Sequence, residues 1–112
     1  MKYLPFATYQ DVLKFPLDKI ALMIASEFRQ ASRRAEIREE AILCYHRARE
    51  LMGVLEIRDL GPSTAIKLYP FYRFCAFQRL FREDRLKPSF IEHFAAGAAT
   101  AFERAAKELA HA

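Results

Sequence analysis

The chain has no tryptophan, three glycines, five prolines and two cysteines in 112 residues, and its longest uninterrupted apolar run, residues 20–25, is six long. A membrane-crossing helix needs about twenty apolar residues, so no span is expected. Scarce chain breakers beside abundant Ala, Leu, Glu and Arg favour helix over sheet. Two cysteines, Cys44 and Cys75, are too few for a disulfide framework. Both fall inside apolar helical patterns, where a free thiol behaves as a small hydrophobe, and a reducing compartment follows as the expectation. Before Asp11 there is one lysine and an early proline but no apolar stretch of the signal-peptide kind. The chain is therefore expected to be mature as written and cytoplasmic. Neither charge sign dominates: 18 basic residues are interleaved with 14 acidic ones for a net charge of +4. Strong nucleic-acid binders usually gather their basic residues on one face.

The catalytic absences are equally plain. There is no Cys-x-x-Cys spacing for zinc, and Gly53, Gly61 and Gly97 stand alone, so no glycine-rich loop can cradle a phosphate. Of His46, His93 and His111, only His111 has a glutamate three residues before it, Glu108, and bundle di-iron centres need that pairing twice. His46 is two residues from Cys44, which on a helix points the two side chains apart. No catalytic residue, metal ligand or cofactor site is assigned, and core packing accounts for both thiols.

What the sequence does contain is helical periodicity. A chain of this length forms one domain, here 1–112, with enough apolar content for one core. Residues 1–7 read as an extended lead-in and Thr8 with Asp11 as the cap of a short turn. The first long helix is expected over 16–31, opened by Pro16, with Leu17, Ile20, Ala21, Ile24, Phe28 and Ala31 on one face and Leu22 and Met23 off it. A second helix carries the seam Ile37, Ala41, Cys44, Ala48, Leu51 and Leu55 at spacings of four and three. Ser32 caps it, unless it runs on continuously from the first helix, and Gly53 ends or frays it. Residues 59–63 form a firm break. A third helix over 64–86 contains Pro70, where a kink or break is expected. Ser89 with Glu92 fits a capping box for a fourth helix to about residue 109, with Ile91, Phe94, Ala98, Ala101, Phe102, Ala105 and Leu109 as its core stripe and the alanine-rich tract 95–99 as a smooth flank. Four helices with short connections make an all-α antiparallel bundle the expected fold, its third helix kinked or broken near Pro70.

Residues 69–81 hold six aromatics, namely Tyr69, Phe71, Tyr72, Phe74, Phe77 and Phe81. They point in nearly every direction around a helix, so the segment is either the central helix of the monomer or a surface for a partner. Residues 40–51 resemble the second helix of a tetratricopeptide repeat, with Ala41, Tyr45, Ala48 and Leu51 at its small and apolar positions. Glu36 and Ile37 replace that family's Gly-Asp turn, Arg29 occupies its first-helix glycine position, and no second copy follows. The likeness is one of helix-packing pattern and not of membership.

Interface cores favour Tyr, Phe, Met and Arg. The expected function is that of a small, non-enzymatic cytoplasmic interaction or regulatory protein acting by helix-on-helix association, as a homodimer or with another protein. Its expected interface is Tyr69, Tyr72, Arg73, Phe77 and Arg79, with Leu22 and Met23 as a secondary patch. The alternative is a nucleic-acid-binding bundle using Arg29, Arg33, Arg34 and Arg38, although Glu36, Glu39 and Glu40 lie among them and pair readily at helical spacing.

Overall fold

Pro16 sits at the N-cap of the first long helix, as its fixed φ and missing N–H favour. The computed structural model describes residues 10–56, 58, 61–76 and 87–111, with the side chains of 56 and 71–76 outside the description. Among the described residues the regular structure is entirely helical. Helical residues 10–12 precede α1 (Leu17–Arg33), α2 (Arg38–Glu56), α3 (Pro62–Ala76) and α4 (Pro88–Ala110).

In α1 the acidic Asp18 lies in the first turn, where it complements the helix dipole. The expected face is buried: Ile20, Ala21, Ile24, Phe28 and Ala31, joined by Ala25. Leu17 is half-buried against that core. The helix runs two residues past the expected end. Ser32 is therefore its member and not a cap for α2, and its hydroxyl donates to the Glu92 carbonyl at 3.0 Å. A turn closed by Ile37 N–H donating to Arg34 O at 2.9 Å separates α1 from α2, so the two are not continuous. Ile37 falls in this turn and is 52% exposed, not part of the α2 seam; helical spacing does not apply ahead of the first helical residue.

The rest of the α2 seam is as expected, Ala41, Cys44, Ala48, Leu51 and Leu55 being buried, with Tyr45, Met52 and Val54 widening it. The helix passes through Gly53 to Glu56 without ending there. A mid-helix glycine costs about 1 kcal/mol relative to alanine, less than the burial of its neighbours Met52, Val54 and Leu55 returns.

α1 runs against both α2 and α4. Glu27 meets Arg47 and Phe28 meets Tyr45 on α2. Toward α4, Ser32 meets Glu92 while Arg29 meets Thr100 and Glu103, so rising numbers on one helix face falling numbers on the other. Alanines recur on the buried faces of both helices, with Ala21, Ala25 and Ala31 on α1 and Ala95, Ala98, Ala99, Ala105 and Ala106 on α4. Phe28 fills the centre, stacked on Phe102 and edge-on to Tyr45. Small side chains let the two backbones approach, and the few aromatics supply the buried area. At the far end of the hairpin the Arg58 guanidinium donates to the carbonyls of Leu13 (3.1 Å) and Phe15 (3.4 Å), clasping the end of α2 to the lead-in of α1.

α4 opens with Lys87 as N-cap and Pro88 in its first turn, and no side chain caps it. The Ser89–Glu92 capping box is not formed, because Pro88 is suited to the first helical position and places Ser89 inside the helix. Ile91, Ala98, Phe102 and Ala105 are buried as expected, Phe94 and Leu109 pack half-buried against the core, and Ala101 is only partly buried.

Gly61, with φ of +77°, turns the chain into α3, whose first bond is Ala65 N–H to Gly61 O at 3.1 Å. α3 continues through Pro70 without a break. Pro70 deprives the Ile66 carbonyl of its helical donor, but both residues are exposed, so water can take the vacancy. Residues 77–86 lie outside the described residues, and with them the expected end of this helix.

Candidate interaction surface

Only two described side chains of α3 turn inward, Thr64 and Leu68, one helical turn apart. Four others, at i, i+4, i+7 and i+8, share the opposite face: Pro62, Ile66, Tyr69 and Pro70. All four are exposed, Ile66 at 73% and Tyr69 at 55%. The row carries no charged group. Lys67 stands on its flank and donates to the Glu108 carboxylate at 2.9 Å, an exposed ion pair that joins α3 to α4.

Of the residues expected from sequence to form an interface, Tyr69 is on this row. Tyr72 and Arg73 belong to α3, but their side chains lie outside the description, and Phe77 and Arg79 lie outside the described residues. Leu22 is half-exposed on the outer face of α1, whereas Met23 packs against the core. Ile66, the most exposed large apolar residue described, was absent from the expectation. Its signal was available in the spacing of Pro62, Ile66 and Pro70 four residues apart.

The four arginines of the expected cluster are engaged differently. Arg29 reaches across to α4, where Nε donates to Glu103 at 3.0 Å and Nη2 to Thr100 Oγ1 at 3.2 Å. Thr100 in turn donates to the Ala96 carbonyl. Arg34 lies 3.8 Å from Glu40 on the surface, Arg33 is exposed and Arg38 is half-buried. Arg29 is thus an interhelical tie, and its acidic partner Glu103 competes with any phosphate.

A second polar group lies between α1 and α2. Arg47 Nε donates to both oxygens of Glu27, at 3.1 and 3.0 Å, and its Nη2 lies 3.4 Å from the sulfur of Cys44. Burial pushes the Cys44 thiol above its ordinary pKa, the Glu27 charge adds to that shift, and the charge and hydrogen bond of Arg47 oppose it. Burial opposes the charge on Arg47, but hydrogen bonding and attraction from Glu27 outweigh it and raise the arginine's pKa. A reactive cysteine needs the opposite environment, one that favours the thiolate. Cys75 has no described side chain. Among the described residues no three His, Cys, Asp or Glu side chains are grouped to hold a metal, and no helix is long and apolar enough to cross a membrane.

No protein-family model matches this chain, and neither a curated protein nor a solved structure matches it significantly.

Proposed function

We propose that this chain is a small, non-enzymatic, cytoplasmic interaction or regulatory protein, an antiparallel four-helix bundle that pairs with a second copy of itself through the outward row of α3. The opposed directions of α1 with α2 and with α4, and the four-residue turn at 34–37, support the bundle. The observation that carries the interaction reading is the uncharged row Pro62, Ile66, Tyr69 and Pro70. Single exposed apolar residues are ordinary, but a contiguous row of them marks a docking surface. A two-fold pairing places the same row on both sides, so each apolar group meets another. The nucleic-acid alternative is less well supported, because Arg29 is engaged by Glu103 and Thr100.

The test is solution mass by light scattering on a size-exclusion column, for the wild type, Ile66→Glu and Tyr69→Glu. The expected result is a wild-type dimer and monomeric variants with unchanged helical circular dichroism. A wild type that stays monomeric at the highest soluble concentration overturns the reading. Retention on an oligonucleotide matrix that weakens steeply with salt favours the nucleic-acid alternative instead.

A further inference from the structure

We draw no further inference here: the strongest candidate, the side-chain cluster of Glu27, Arg47 and Cys44 between α1 and α2, is an ion pair closed within the chain beside a single buried cysteine, and nothing among the described residues points to a ligand there.

Discussion

The Tyr45 hydroxyl lies 3.1 Å from the Ile91 carbonyl oxygen, a buried hydrogen bond that ties α2 to the first turn of α4. The same ring stands edge-on to Phe28 at 5.6 Å between centroids and stacks on Phe94 at 6.1 Å. One side chain thus links three helices. Tyr45→Phe keeps the ring contacts and removes only the hydroxyl bond. It is expected to lower stability by about 1 kcal/mol, seen as a lower urea midpoint with an unchanged slope. Tyr45→Ala empties the site and is expected to cost about 3–5 kcal/mol. Equal midpoints for wild type and Tyr45→Phe would show that the bond adds nothing to the packing.

The buried thiol gives a pH dependence of definite sign. Folding raises the Cys44 pKa above the ordinary thiol value of 9.0, so the folded chain holds the proton more tightly than the unfolded one. The associated stability is fully present below pH 9.0 and is lost as pH rises above that value toward the folded pKa. Lysine and tyrosine titrate in the same range, so the informative quantity is the difference between wild type and Cys44→Ala. The stability advantage of wild type is expected to shrink as pH rises from 8 to about 10.5. In native protein at pH 7.5, Cys44 is expected to resist alkylation until urea unfolds the chain. Prompt alkylation of Cys44 under native conditions would contradict its burial.

Gly61 adopts φ of +77°, a region that L-residues enter only at a penalty. A Cβ added there meets nothing within 4 Å, so the penalty for Gly61→Ala is purely conformational. It is expected to be about 1–2 kcal/mol, with Gly61→Asn milder because asparagine tolerates this region better. Thermal melting of the three proteins orders them Gly, Asn, Ala. A wild-type melting temperature in Gly61→Ala would mean that the turn relaxes to a negative φ at no penalty.

Much of this architecture was readable beforehand because burial imposes a period. The stripes of α1 and α4 and most of the α2 seam followed from 3.6-residue spacing alone. The errors sit at helix ends. Ile37 had the right residue type and spacing for the seam, but the turn at 34–37 begins the next helix one residue later. Ser89 and Glu92 had the spacing of a capping box, but Pro88 starts the helix before them. Ser32 is a member of α1 because the helix runs on to Arg33, and its bond to Glu92, sixty residues away, is one that no local pattern contains. The candidate surface was only partly legible. Tyr69 stood out as an aromatic, while the four-residue spacing of Pro62, Ile66 and Pro70 marks a shared helix face but not its direction, which the inward-facing Thr64 and Leu68 supply. The arginine cluster is contiguous in sequence, yet Arg29 is drawn away from it by acidic and hydroxyl groups more than seventy residues on.

The buried alanines of α1 and α4 have a consequence for how the sequence can drift. At Ile24 or Leu51 a smaller residue leaves a void, a graded loss that neighbours partly relieve by settling inward. At Ala98 or Ala21, both fully buried, there is almost nothing left to remove, and each added methylene must displace packed neighbours. Substitution at those positions is therefore confined to glycine, serine and the resident alanine. Variation in this chain should accumulate around the large core residues and be nearly silent along the small ones.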